Sequence, residues 1–524
     1  METIPGSSED SVRARAPATP RRARPGRTAW HGMVAGLALS AAGAHADITH
    51  GPMLQAVTAD QAGIWLRTSI DQPVRVQLTA PDGQITYTPQ VVTSLADSDD
   101  TAQFVLTGLT PNATYTYQVG LTDPIDGTET WTGSYMLRTV DDAVSSMNIA
   151  VLSDFKDNLA PSVALQTALR ARPDLLAVIG DLDHRGPARA PGGDFYPPED
   201  APTVLANMRQ MHRDTRSPVT KLGSDFATGL VGTPDSGVPQ IPWIYGWDDH
   251  DFCANNSGAD CPFAAQAVQA WEDYFIPAPD NAFAAACPLP GDFQSLRYGQ
   301  LVQIFLLDAR SNRDDSQPDG DTAMLGACQH QWLVDGLHAS TATWKIVLSP
   351  VPLNPTMKTW DAWSMFLNER AALLAEIADV HNVVVLSGDV HTGGAIDDGT
   401  HSGLPEVSVP HADMPPTWVN TFCRVQNGTL VTRPGAWTIG STLDPDVDIF
   451  PPNCLSQKFP NGIPEDRLTA AVYPLDGHNN PGYAWITATP DTLTVSVLSS
   501  KGKVKKGMTA GHHPAQMVLQ LKPM

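Results

Sequence analysis

The chain has 524 residues, 42% of them hydrophobic, with 33 basic and 56 acidic side chains, which allows a packed core and roughly two or three domains. Residues 1–46 hold six arginines and three acids, so the remainder carries 27 basic against 53 acidic residues. Such a surface repels nucleic acid, and no nucleic-acid-binding face is expected; a phosphate substrate stays possible, because a bound cation dominates the field around itself.

In chain order, residues 1–32 are rich in Arg and Pro, with Arg21 and Arg22 adjacent, and Met33–Ala42 is a short apolar run followed by Ala44-His45-Ala46. This pattern reads as a signal peptide cleaved before Asp47, which predicts an exported protein, periplasmic or secreted, by the general or the twin-arginine route. The apolar run is too short to span a bilayer, so no transmembrane anchor is expected after cleavage. Residues 47–140 alternate apolar and polar positions over 62–68, 73–78, 102–106 and 114–119, with turn residues between, which predicts a β-sandwich. The Leu109-Thr110-Pro111…Tyr115-Thr116-Tyr117 segment resembles the Leu-x-Pro…Tyr-x-Tyr stretch of fibronectin type III domains.

From about residue 145 to the end the pattern changes. Met147–Ser153 and Leu175–Gly180 are apolar runs separated by a helical segment from Pro161 to about Arg172, which predicts a right-handed parallel βαβ unit. Buried strands are expected at 241–245, 301–307, 344–348 and 383–386, and helices at 329–339 and 363–379, the latter with Leu367, Leu374 and Ile377 inward. Residues 190–235 and 395–480 read as loops around a cleft, and 483–499 and 516–521 as closing strands. Six cysteines, Cys253, Cys261, Cys287, Cys328, Cys423 and Cys454, suit disulfides in an exported protein; Cys253 with Cys261 is the nearest local pair, and the absence of C-x-x-C argues against a thiolate zinc site.

Several of these strands end in metal-ligating residue types: Ser153-Asp154, Gly180-Asp181-Leu182-Asp183-His184, Trp247-Asp248-Asp249-His250-Asp251…Asn255, and Gly388-Asp389-Val390-His391. Strand ends gather at one edge of an open α/β sheet, and carboxylates converging there repel unless a cation lies between them. The order resembles that of the calcineurin-like metallophosphoesterases. With Leu307-Asp308-Ala309-Arg310-Ser311-Asn312-Arg313, Gln331-Trp332-Leu333, Asp361-Ala362-Trp363 and Glu369-Arg370, it resembles more narrowly the alkaline phosphatase D (PhoD-like) family over about residues 48–500.

The resemblance implies a four-layer α/β sandwich, two mixed β-sheets flanked by helices, behind a small fibronectin III-like β-sandwich. It implies a site of two or more metal ions, held by Asp154, Asp181, His184, Asp249, Asn255, Asp389 and His391, with Asp181 as the bridge. His250 would protonate the leaving group or hold a phosphate oxygen, and Arg310 would clamp the phosphate. Asp248 and Asp251 read as bracing or loop-capping groups, Asp183 as a turn residue, and Arg310 and Arg313 also as partners of Asp308 and nearby acids. His401 and His411 read as solvent-facing, and Trp360 and Trp363 as core or pocket wall. Asp154 stands where many relatives have Cys, His184 where they often have Tyr, and Lys156 where the wider superfamily has a ligating His. A donor set rich in Asp and Asn favours calcium, iron or manganese over zinc.

The expected activity is hydrolysis of a phosphate ester, by an alkaline phosphatase acting on monoesters. The alternatives are a phosphodiesterase or phospholipase D-type hydrolase acting on a lipid or polymer diester, a non-catalytic metal-binding member of the fold, and an acidic calcium-binding structural protein.

Overall fold

The computed structural model describes residues 47–155, 162–185, 200–216, 230–278, 287, 292–314, 316, 322–355, 357–358, 361–391, 393–399, 402–413, 424–426, 429–431, 470–471, 481–505 and 515–522. The expected signal peptide lies outside them, as do Lys156, Trp360, His401, Cys423 and Cys454. Among the described residues no helix is long and apolar enough to cross a membrane.

Met147–Leu152, Leu175–Ile179 and Trp243–Gly246 pair in parallel, in that order. They are almost wholly buried, and a strand covered on both faces needs apolar residues at every position rather than alternation. The crossover helix Val163–Arg170 is capped by Ser162, whose Oγ accepts from the Leu165 N–H at 3.2 Å, and it buries Ala164, Leu165, Ala168 and Leu169. These strands are the middle of a nine-stranded mixed sheet. On one side lie Gly482–Ala488, Thr492–Ser499 and Gln516–Gln520, and on the other Ile48–Gln55, Gln61–Thr68 and Thr101–Thr107. A second mixed sheet runs Gln294–Tyr298, Val302–Leu306, Trp344–Ser349, Val383–Ser387, Pro405–Ser408, Ala395–Asp398, Ala470–Ala471, with the four strands from Val302 to Ser408 parallel.

The two sheets face each other through Ile149, Val151, Ala177, Ile179 and Ile244 against Ile304, Leu306, Ile346, Leu348, Val384 and Leu386. On the outer face of the first sheet, Leu176, Val178, Trp243 and Tyr245 meet Leu165, Val204, Met208 and Trp271 of the helices. Outside the second, Phe305, Val347 and Val385 meet Leu333, Leu337 and Leu373. The layers therefore run helix, sheet, sheet, helix.

Residues 47–140 form two facing sheets. One is Ile48–Gln55, Gln61–Thr68 and Thr101–Thr107; the other is built on Pro73–Thr79 and Thr114–Thr122, with Ile85–Tyr87, Val91–Val92, Glu129–Trp131 and Tyr135–Arg138 at its margins. Alternation holds here: Val74, Val76 and Leu78 point inward and their neighbours outward. The first of these sheets continues the nine-stranded ladder through a parallel pairing of Gln55 with Trp243. Trp65 Nε1 donates to the Asp273 carbonyl at 3.0 Å, and Gln55 Nε2 to the Tyr274 carbonyl at 3.1 Å. The fully buried Arg216 guanidinium lies 4.5–5.3 Å from the ring centres of Phe275, Trp243, Tyr274 and Trp65. Burial pulls this group down to about 10, and the aromatic faces offset part of its lost hydration.

Several expectations about elements are corrected. Within the span read as loop, Ala201–Arg216 is a helix. It buries Val204, Met208 and Met211 along one stripe, but Arg209 and Arg216 share that buried side, and the mixture hides the apolar period. Ala395–Asp398 and Pro405–Ser408 are strands within the other supposed loop. The segment 483–499 is a hairpin, Gly482–Ala488 and Thr492–Ser499. The expected helix 363–379 splits into a 3₁₀ turn, Trp363–Met365, and a helix, Leu367–Glu376, which buries Leu373 while Leu367 and Leu374 stay half-buried.

Disulfides join Cys253 to Cys261 and Cys287 to Cys328, at separations of 8 and 41 residues. Loop-closure entropy predicts that replacing Cys287 and Cys328 by Ala costs about 4 kcal/mol, against about 2.5 kcal/mol for Cys253 and Cys261, read by urea denaturation. The reverse order would refute the chain-entropy account. A second expectation concerns Glu406, buried where its carboxylate accepts from Ser387 Oγ (2.7 Å), Leu353 N–H (3.0 Å) and Asn354 N–H (2.6 Å). Burial pushes its carboxyl up from 4.5 to about 7. The unfolded chain releases this proton first as pH rises, so the contribution of Glu406 to stability falls between those two values. Relative to Glu406→Gln, the parent is expected to lose on the order of 3 kcal/mol across that window in paired urea melts.

Candidate metal centre

Parallel pairing carries five strand ends to one rim. Asp154 follows Met147–Leu152, Asp181 follows Leu175–Ile179, and Asp248-Asp249-His250 follows Trp243–Gly246. From the second sheet come Asp308 and Arg310 after Val302–Leu306, and Asp389 and His391 after Val383–Ser387. The backbone there is bent out of the strand: φ is +59° at Asp154, +51° at Asp181, +59° at Asp389 and +49° at His391, and Asp361, in a loop of the second sheet, is also left-handed at +52°. Non-glycine residues in this left-handed region cost on the order of 1 kcal/mol or more, and they gather where a site over-determines the backbone. Gly180 has φ +116°, and a Cβ there would lie 2.6 Å from Cβ of Asp248, so only glycine lets these two strand ends approach.

Three groups of side chains have ligand atoms within 4.8 Å of one another and can hold a metal ion: Asp154, Asp181, His184 and His391; Asp181, Asp249 and His250; and Asp181, Asp248 and Asp389. Asp181 belongs to all three.

In the first group His184 Nδ1 faces the Phe155 carbonyl, which fixes the proton on Nδ1 and turns the Nε2 lone pair inward. That Nε2 lies 2.9 Å from Asp181 Oδ2 and 3.3 Å from His391 Nε2, which is itself 3.1 Å from Asp154 Oδ1. Asp154 Oδ1 and Asp181 Oδ2 are buried, and among the described residues the polar groups in contact with them are these imidazole edges. Two imidazole nitrogens and two orphaned carboxylate oxygens turned toward one another fit a divalent cation. In the second group the His250 N–H donates to Asp249 Oδ1 (2.8 Å) and Asp181 Oδ1 (3.3 Å), the Asn256 N–H holds Asp249 Oδ2 at 2.5 Å, and the His250 ring lies 4.5 Å from that of His184. Asn255 is half-buried in the same turn.

The third group is bordered by fixed positive charge. Arg310, wholly buried, gives Nε to Asp248 and a fork to Asp361 (2.9 and 3.2 Å), with Nη2 3.6 Å from Asp389. Lys358 contacts Asp389 and lies 3.1 Å from Asp361, and Arg313 also contacts Asp361. Burial alone would discharge Lys358, but Asp389 and Asp361 prevail and raise it above its ordinary range.

Crowding governs the carboxylates. Burial first, and then Asp249, Asp248, Asp251 and Asp154, push Asp181 well above the carboxylate range. Asp389 is pushed up by burial, against the pull of Lys358. Burial raises Asp248 to about 7 despite Arg310. Burial opposes ionisation of Asp154 too, yet His391 and His184 win and bring it to about 2. Asp361 is held well below its usual value because Arg310, Arg313 and Lys358 outweigh burial.

Asp154, Asp181, His184, Asp249, His250, Asp389, His391 and Arg310 thus lie around one cluster. Asp251 braces it, accepting from the Leu182 N–H (3.1 Å) and the Asp248 N–H (3.3 Å), and Asp183 is a buried turn residue paired with Arg185. Two expectations are corrected. The expected side-chain pairing of Arg310 with Asp308 gives way to Asp248 and Asp361, which engage its guanidinium, while only its backbone N–H reaches Asp308, at 2.8 Å. His411 is not solvent-facing: it is fully buried and bridges Ser153 beside Asp154. Lys358 was missed altogether. Its partner Asp389 lies 31 residues on, and nothing local marks the pair.

Residues 237–400 match the family model of the PhoD-like phosphatases, and residues 45–135 match a domain of unknown function, DUF7800. Alkaline phosphatase D of Bacillus subtilis (strain 168) is 30% identical over 189 residues, which is 30% of this chain and 32% of that protein, so the match spans about a third of the curated relative. A solved structure, "Structure of PhoD", superposes with a TM-score of 0.62 at 17% identity, over 91% of this chain and 90% of that one, and supports the α/β fold.

Replacing Arg310 by Met would leave Asp248 and Asp361 buried without their main counter-charge, with an expected loss of about 3–5 kcal/mol in urea denaturation. Arg310→Lys should recover only part of it, because an ammonium cannot fork between two carboxylates. A loss below about 1 kcal/mol for Arg310→Met would mean that these acids are neutral in the folded protein.

Proposed function

We propose that this chain, which carries a PhoD-like phosphatase domain, is an exported, metal-dependent phosphoric-ester hydrolase, and that its activity is that of an alkaline phosphatase acting on phosphomonoesters. The observation that carries the reading is the pair of unsatisfied oxygens, Asp154 Oδ1 and Asp181 Oδ2, turned toward the Nε2 atoms of His184 and His391. Bound ions would supply Lewis-acid charge and an activated water for in-line attack at phosphorus.

The chain's own residues hold and orient. Asp181, common to every group, would be shared between the ions; Asp154, His184 and His391 would hold one of them, and Asp249, with Asn255 from the same turn, would help to hold the other, while Asp389 lies near Asp181 but is engaged by Lys358. The Phe155 carbonyl and the Asn256 N–H orient His184 and Asp249 from behind. His250, its backbone pinned to Asp181 and Asp249, hands a proton to the departing alkoxide. Arg310 is a positioning residue that keeps Asp248 and Asp361 in place. The carboxylate-rich donor set favours calcium, iron or manganese over zinc. Residues 1–46 are read as the export signal, 47–140 as a fibronectin III-like module and 145–524 as the hydrolase domain. The first of the two folded modules buttresses the second through Gln55, Trp65 and the Arg216 cage.

The test is hydrolysis of p-nitrophenyl phosphate and of bis-p-nitrophenyl phosphate, with and without EDTA. Monoester turnover abolished by EDTA is expected. Asp181→Asn should lower kcat/KM by about 1,000-fold or more, about 4 kcal/mol of transition-state stabilisation, and reduce the metal content. Diester preference would point to a phosphodiesterase instead, and silence on both substrates across a metal series would refute the hydrolase.

A further inference from the structure

The three groups that share Asp181 differ in what else touches them. In the first, the unsatisfied oxygens of Asp154 and Asp181 face only imidazole nitrogens, and in the second Asp249 is held by backbone N–H groups. In the third, Lys358 contacts Asp389 while Arg310 contacts Asp248 and comes within 3.6 Å of Asp389. Lys358 is also tied to Asp361 at 3.1 Å, and it is buried, 8% exposed. A lysine so placed is a compact point charge held against the same carboxylates that a metal ion would use. An incoming divalent ion at Asp389 and Asp248 would meet two fixed positive charges in a buried site, where repulsion is strong.

We propose that Lys358, with Arg310, occupies the cation position of the Asp181–Asp248–Asp389 group, so that the centre takes up two external ions and the chain itself supplies the third positive charge. The inference rests on the metal-centre reading above and adds to it a fixed ion count and a role for a lysine outside every strand-end motif. Lys358 is a positioning residue: it acts through Asp389, contacting that carboxylate where its ligand oxygen comes close to those of Asp181 and Asp248.

The experiment counts ions. The full-length chain is stripped with chelator, dialysed against manganese or calcium, and assayed for bound metal per chain by emission spectroscopy, with thermal melts alongside. The parent is expected to saturate at two ions. Lys358→Met, similar in length and uncharged, is expected to take up a third and to gain a larger melting shift from calcium than the parent. Lys358→Arg, which keeps the charge, should stay at two. A parent that binds three ions, or a folded Lys358→Met that stays at two, overturns the assignment. If Lys358→Met folds only when calcium is added, the external ion has replaced the missing ammonium and the assignment stands. If it folds under no condition, the parent's count decides, two supporting and three refuting. A parent that binds one ion or none sinks the two-ion centre itself, an outcome distinct from failure of the lysine's role.

Discussion

Six aspartates, Asp154, Asp181, Asp248, Asp249, Asp361 and Asp389, are buried around one rim of the protein. Carboxylates so confined repel one another, and each pays for desolvation as well, so they cannot all be ionised unless positive charge lies among them. Arg310, Arg313 and Lys358 provide it on one flank. On the other flank are two imidazoles and the unsatisfied oxygens of Asp154 and Asp181. The cluster thus divides into a part that carries its own positive charge and a part whose donor atoms could hold an external cation.

The scaffold is built to hold that cluster against its own repulsion. Three strands of one sheet and two of the other end at the same rim, and each sheet is covered on both faces. Left-handed residues at Asp154, Asp181, Asp389 and His391 turn the chain sharply just after the strand ends. Such conformations persist only where the surroundings enforce them. The N-terminal sheets add to that enforcement: Ile48–Gln55 extends the central ladder, and the aromatic cage of Arg216 joins Trp65 to Trp243, Tyr274 and Phe275 in one continuous core.

Much of this could be read before any fold was seen. Leu175–Ile179 and Val383–Ser387 are apolar at nearly every position, which only doubly covered strands require, and the Asp and His that follow them stand out against that background. The nearest cysteine pair, Cys253 with Cys261, is joined in the structure. Reading failed where the decisive neighbour was remote. Ala201–Arg216 looked like loop because its inward face mixes methionines with arginines whose partners, Asp273 and a ring of aromatics, are supplied by other elements. His411 looked exposed because its burial depends on a bridge to Ser153, which is far away in sequence.

The sequence by itself determined which residue types stand at which strand ends, and so the class of chemistry, because periodicity and composition are local properties that survive without a fold. The tertiary structure alone decided which of those groups meet. It set Arg310 on Asp248 and Asp361, and it brought Lys358 to Asp389. The physical reason is that electrostatic partnership falls off over a few ångströms, and distances on that scale exist only after strands from two sheets have been packed together.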